Sequence, residues 1–307
     1  MNMQKSVLLS SISVFVSLWA GPSLAGSSSG CSALPGWSTL RSALVSSITP
    51  ATGSNGGLGF NMWGTLVAND GTVCAVAFSG SSYTSQWLGS RVISAQKANT
   101  ANDFSLGPNS TPSASSFPQG LALSTANLFS AVQPGGSLYG LQHSNPVDTA
   151  VAYSNTSSSS GVQSANYTSG PVSATLFGTQ NDPMVGSRIG GVNVFGGGLA
   201  LYSGGVKVGA VGVSGDTSCT DHMVAWRVRH TLGLDQFKGV GGVSGDAAHP
   251  DNIIFDITAN LPGGATGGTG QMPNGTGGVG TSASGFGHPM CLNNPTQAAL
   301  NALPPVH

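Results

Sequence analysis

The stretch GAVGVSGDTSCTDH (209–222) carries an apolar strand pattern into a polar turn holding Asp216, Cys219, Asp221 and His222. In a chain with 6% charged residues and six histidines, such a cluster is unusual. Two carboxyls beside an imidazole can share acid/base work, so Asp216, Asp221 and His222 are the candidate catalytic residues. Helix physics accounts for part of the pattern without catalysis. Thr220 is placed to cap a following helix, and Asp221 to complement its positive end. His222 has no such account. On a helix it shares a face with Trp226 and with Arg229 or His230, a face suited to a planar ligand or a partner subunit.

Other chemistry-bearing residues are sparse. His143 lies in a region without a clear period and could face a pocket. His288 and Cys291 have a His-x-x-Cys spacing, but no second pair stands at zinc-like spacing, so no metal site is expected. The segment GVSGD (212–216) is not a Gly-x-Ser-x-Gly nucleophile elbow. GGVNVFGGG (190–198) precedes a strand, where a dinucleotide fingerprint would follow one. Arg91 and Lys97 are two of nine basic residues. At about 240° apart on a helix of 3.6 residues per turn, they do not share a face. Lys97, flanked by Ala95, Ala98 and Ala101, suits a carboxylate, either a ligand's or an acidic side chain's. A lysine snorkelling from the core edge is the plainer alternative.

These residues must be positioned by a chain of 307 residues and net charge −1. No concentration of Lys and Arg is present, which argues against nucleic acid as a partner. Residues 1–25 read as a cleaved export signal: Lys5, then an apolar run to Trp19, then small residues at Ser23 and Ala25. No later stretch reaches the roughly 18 apolar residues of a membrane span. The expected setting is therefore periplasmic or extracellular, with residues 26–307 forming one domain.

Four cysteines in an exported chain point to disulfides. Cys31 and Cys291, near the two mature ends, are the favoured pair, with Cys31–Cys219 as the rival and Cys74 as a buried thiol.

Helical spacing at Trp37, Leu40, Leu44 and Ile48 predicts a first helix, ended by Pro50. Residues 61–80 predict a hairpin around Asn69-Asp70-Gly71. Helices are expected over 85–106 and Ser124–Val132, then a second hairpin with strands at 199–202 and 206–213. A last helix covers 221–234, with Gly233 at its end. The polar loop 154–170 and the Gly-rich stretch 262–287 interrupt this order. Two hairpins and several helices without βαβ alternation give an α+β fold: an antiparallel sheet of hairpins backed by helices, with long Gly/Ser-rich insertions and a Gly-rich C-terminal extension.

Two segments resemble the GlcG/HbpS family of haem-binding proteins. SRVISAQKANTANDFSL (90–106) is similar to that family's Lys-Ala-x-Thr-Ala helix. GGVNVFGGGLALYSGGVKVGAVGVSGDTSCTDHMVAWRVR (190–229) is similar to its glycine-rich hairpin and final helix, and the element order matches. The likeness covers Trp37 to about Leu234. It implies an oligomeric α+β domain that binds haem or responds to redox state. Within that reading the haem-binding residues are His222, with His143 and His288 as alternatives for the iron, and Lys97 and Arg91 for the propionates. Two other functions stay open: a small-molecule enzyme, such as a haem- or metal-dependent oxidoreductase, and a non-catalytic binding or assembly module.

Overall fold

A computed structural model describes residues 30–51, 53–108, 110–153, 173–257 and 280–307. The export-signal reading of 1–25 and the polar loop 154–170 lie outside the described residues, as does most of the Gly-rich stretch.

Helix α1 (Trp37–Ile48) buries Leu40, Ala43 and Leu44, the stripe its spacing predicts. The first hairpin is β1 (Trp63–Ala68) and β2 (Val73–Phe78). Helix α2 (Gly89–Asp103) is shorter than expected, because Tyr83–Ser85 winds as a separate 3-10 turn capped by Ser82. The helix expected over 124–132 contracts to α3 (Leu128–Ala131). Asn127 Oδ1 accepts from both the backbone N and the hydroxyl of Ser124, at 3.0 and 2.8 Å, and this local bonding competes with a helical turn. After the short α4 (Thr149–Tyr153) come β3 (Gly198–Ser203) and β4 (Val206–Ser214). Then follow α5 (Ser218–Thr231) and α6 (Gln297–Asn301).

The four strands form one antiparallel sheet in the order β2-β1-β4-β3. Alternation along the strands sorts the core into two faces. Leu66, Val211 and Val213 pack with Leu40 and Leu44 of α1 and with Met223 and Val224 of α5. Trp63, Val67 and Val76 pack with Val92, Ala95 and Ala98 of α2. Covered on both faces, the strands are apolar almost throughout, and simple polar alternation is absent from their sequence. A Cβ on Gly212 would stand 1.9 Å from the Ser94 carbonyl, so glycine there lets α2 lie directly on β4. That contact brings Lys97 over the start of α5. Loops close on the outer strands. Val73 N donates to Ser187 O and Gly186 N to Val73 O beside β2, while Tyr202 N donates to Leu234 O and Gln236 N to Tyr202 O beside β3.

The cysteine pairing differs from expectation. Cys31 bonds Cys74, and Cys219 bonds Cys291, with Cα atoms 5.4 and 6.0 Å apart. Neither Cys31–Cys291 nor Cys31–Cys219 forms, and Cys74 is no free thiol. The turn before α1 lies against the edge strand β2, within reach of Cys74, while the segment around Cys291 folds back onto the first turn of α5. The helix start also shifts. Thr217, not Thr220, is the cap, its hydroxyl accepting from Thr220 N at 3.4 Å. Among the described residues no helix is long and apolar enough to cross a membrane.

Candidate functional site

The opening cluster assembles around the contact of α2 with α5, and it is sealed. Lys97 Nζ donates to Asp221 Oδ2 at 2.7 Å and to Val213 O at 3.2 Å, and it stands 4.3 Å from the centre of the Phe195 ring. Both side chains of the pair are essentially unexposed, at 0% and 1%. Burial pushes the Asp221 carboxyl up to about 6 and the Lys97 ammonium down, each against the attraction of the other. The remaining Asp221 oxygen accepts from Asp216 N at 2.9 Å. Asp216 in turn accepts from the backbone N–H groups of Leu58, Phe60 and Thr217, fixing the 57–60 loop on the helix start. These carboxylates are occupied as structural acceptors, which leaves no free oxygen pair for acid/base exchange with a substrate.

His222 is fully buried. Its Nε2 lies 3.2 Å from both Asn252 Oδ1 and Ile253 N, and its Nδ1 has no partner. Burial holds it neutral, down to about 4. His288 is buried too, its Nδ1 donating to Pro289 O at 2.7 Å beside Cys219, and burial lowers it to about 3. Trp226 lies near His222, as the helical face predicts, and Arg229 stacks 4.4 Å from the centre of the Trp226 ring while gripping Asp251 with two bonds of 2.6 and 2.9 Å. His143 is exposed on a 3-10 turn apart from this network.

Haem needs a ring-sized gap beside its ligand. A Cβ on Gly196 would meet the Ser218 carbonyl at 2.2 Å and His222 Cβ at 3.1 Å. The backbone is pressed onto α5 at the point where a macrocycle would have to enter. His222 and His288 therefore do not fit haem as they stand.

Arg91 leads to a different place. Its guanidinium holds Asp182 through Nε at 2.8 Å and Nη2 at 2.5 Å, both side chains buried, and its Cζ stacks 4.1 Å from the centre of the Phe177 ring. Asp182 also accepts from Gly178 N and Met184 N, at 2.8 and 3.0 Å, so one carboxylate shapes the 177–184 loop. Gly178 has φ +72°, and a Cβ there would stand 2.6 Å from Phe78 Cβ, so glycine is required for this loop to close on β2. Trp37 Nε1 donates to Gly178 O at 2.8 Å, tying the start of α1 to the same loop.

The result is a cleft of about 400 Å³ walled by Trp37, Phe78, Tyr83 and Phe177. Arg41 lines it as well, its Nε donating to Phe78 O at 3.1 Å. No carboxylate among the described residues pairs with Arg41. A second cleft of about 380 Å³, near Asn99 and Asp103, is polar, and its cation Arg188 already meets Asp70 at 3.2 Å. Aromatic walls with one unspent guanidinium suit a flat, apolar ligand bearing a carboxylate. No spacing in the sequence links Arg41, Phe78, Tyr83 and Phe177. The available signal was scarcity: among so few cations, each one is worth tracing to its partner.

No protein-family model matches the chain, and no curated protein matches it. Among solved structures, the haem complex of PduOC is similar at 19% identity and a TM-score of 0.37, over 64% of this chain and 91% of that one. The Klebsiella pneumoniae protein ORFY, a DUF336 protein, is similar at 21% identity and a TM-score of 0.35, over 64% of this chain and 86% of that one.

Proposed function

We propose that this chain is an exported binding protein for a planar, carboxylate-bearing small molecule, and that haem is the ligand to test first. The observation behind this reading is the aromatic cleft with its unpaired guanidinium, Arg41. The ring system would lie against Trp37 and the edge-packed pair of Tyr83 and Phe177, and Arg41 would take a carboxylate in a charge-assisted bond. Tyr83 is the one lining side chain of a type that ligates haem iron. When bound, haem would supply redox or gas-binding chemistry. The chain's own contribution is enclosure and orientation, with Arg91 and Asp182 holding Phe177 from behind. Haem binding and the likeness to the GlcG/HbpS family agree on ligand class, while the place differs from the histidine reading. Two disulfides are compatible with an oxidising compartment, and export follows from the 1–25 signal pattern. Self-association, expected from the same likeness, is read by light scattering.

Titration with hemin should give a saturable Soret change of one equivalent. Arg41→Gln should weaken it by at least about tenfold, the loss of one charge-assisted hydrogen bond of about 1.5–3 kcal/mol. Tyr83→Phe should shift the Soret band while leaving the binding of metal-free protoporphyrin intact. A flat titration, or binding indifferent to Arg41 and to Phe177→Ala, removes the proposal. Binding lost instead in His222→Ala would return the site to the α5 helix.

A further inference from the structure

On the opposite side of the sheet from the aromatic cleft, beside β3, two imidazoles close on one carboxylate. His230, in the last turn of α5, points Nδ1 at Asp235 Oδ2, 2.7 Å away. His307 brings Nδ1 to 3.3 Å from Asp235 Oδ1. The two rings lie nearly parallel, 5.5 Å apart at 18°. One ligand atom from each of the three residues falls within 4.8 Å of the others.

We propose that His230, Asp235 and His307 form a binding site for a divalent transition-metal ion of the zinc, nickel and cobalt class. Two imidazole nitrogens with one carboxylate oxygen are the borderline donors such ions prefer over the all-oxygen sets of magnesium and calcium. The spacing agrees. With bonds of about 2.0–2.1 Å, ligand atoms in a tetrahedral site stand about 3.3–3.4 Å apart. The two Nδ1 atoms contact different oxygens of Asp235, at 2.7 and 3.3 Å, and with one donor atom of each residue within 4.8 Å of the others, side-chain rotations about the carboxylate would draw the three donors to that spacing. On binding, the Nδ1 proton that each imidazole directs at the carboxylate moves to Nε2 or to solvent, and the freed Nδ1 lone pair goes to the ion. Two neutral imidazoles and one carboxylate leave a net single positive charge on the ion and at least one position for water or an exogenous ligand.

The backbone already holds these three residues in place. Tyr202 on β3 bridges to Asp235 in parallel register. His307 N donates to Asp235 O at 2.9 Å, and Lys238 N to His307 O at 2.7 Å. The carboxylate is 4% exposed, while the imidazoles are 38% and 62% exposed. A buried anchor with two accessible arms admits an ion from solvent without unfolding anything. The sequence hides this set: His230 and Asp235 are close neighbours in the chain, but His307 is 72 residues past Asp235 and joins them only through the fold.

The test is titration of the full chain with Co²⁺, followed by its visible d–d bands, and with Zn²⁺ in competition. One equivalent of Co²⁺ should develop bands displaced by Zn²⁺. His230→Ala and His307→Ala should each weaken binding by at least about tenfold, since even outer-shell changes cost 10–100-fold. Both histidines are partly exposed, so the variants should fold, with circular dichroism unchanged. His143→Ala, an exposed histidine elsewhere, should bind as the parent does. No saturable bands at millimolar Co²⁺, or affinity unchanged in the His230→Ala/His307→Ala double variant, would overturn the assignment.

Discussion

Replacing Lys97 with methionine separates a structural role for the α2–α5 pair from a catalytic one. Methionine keeps most of the length and removes the charge. The change leaves the Asp221 carboxylate, 1% exposed, without its cation, and strips a donor from Val213 O. Breaking one side of a buried ion pair costs about 3–5 kcal/mol. For a domain of this size that corresponds to a fall in melting temperature of roughly 6–20 °C, at about 2–4 °C per kcal/mol. The deficit has a definite pH signature. Asp221 already sits up at about 6 with Lys97 present, and loss of the cation drives it higher. Its folded value lies above its unfolded one, so the native state holds that proton more tightly and the cost at neutral pH fades on acidification. Between pH 7.5 and about 6 the gap between variant and parent should shrink by up to about 1.4 kcal/mol per pH unit. Asp221→Asn in the same chain removes the stranded charge while its oxygen still accepts from Asp216 N, and the double variant should recover at least half of the loss. Urea unfolding at the two pH values measures all of this. A loss below about 1 kcal/mol, or a deficit equal at pH 7.5 and pH 6, would refute the reasoning.

Two further outcomes are expected. Peptide mapping under non-reducing conditions should recover Cys31 with Cys74 and Cys219 with Cys291, and no free thiol. The links close separations of 43 and 72 residues, so each should stabilise the chain by roughly 4 kcal/mol of loop entropy, seen as an earlier urea midpoint after reduction. Acid should destabilise the protein through its two buried imidazoles. His222 and His288 are held down to about 4 and about 3, so the stability they contribute is complete above about 6.5 and is lost as pH falls through those values. This slope opposes that of Asp221, and His222→Gln should flatten the decline of melting temperature between pH 6.5 and 4.

The fold was legible in the sequence where its signal is local and repeated. The spacing of Trp37, Leu40, Leu44 and Ile48 carries α1, and the turn residues at 69–71 carry the first hairpin. The order of elements carries the α+β architecture. What failed depends on closure in three dimensions. Cysteine partners follow from which loops meet, and the turn bearing Cys31 meets the edge strand, not the distant Cys291. The cap moved from Thr220 to Thr217 because α5 starts at Ser218, three residues before Asp221, with the Thr217 hydroxyl accepting from Thr220 N. The candidate site was legible only in part. Lys97 called for a carboxylate and found one 124 residues away, but that pairing sealed the cluster instead of opening it. Arg91, singled out for a propionate, stands behind the cleft wall. The aromatic side chains facing the proposed ligand come from separate segments of the chain, and no linear pattern joins them.

The loops lying along β2 and β3 have a consequence for how this molecule behaves in company. Sheets propagate from one molecule to the next when a strand at the margin offers a free row of N–H and C=O groups. Here the marginal strands have such groups already engaged, at Val73 on one side and at Tyr202 on the other. Strand addition at those positions would first have to peel the loops away. In a chain with so little charge to keep molecules apart, closed margins take over part of the work that electrostatic repulsion does elsewhere.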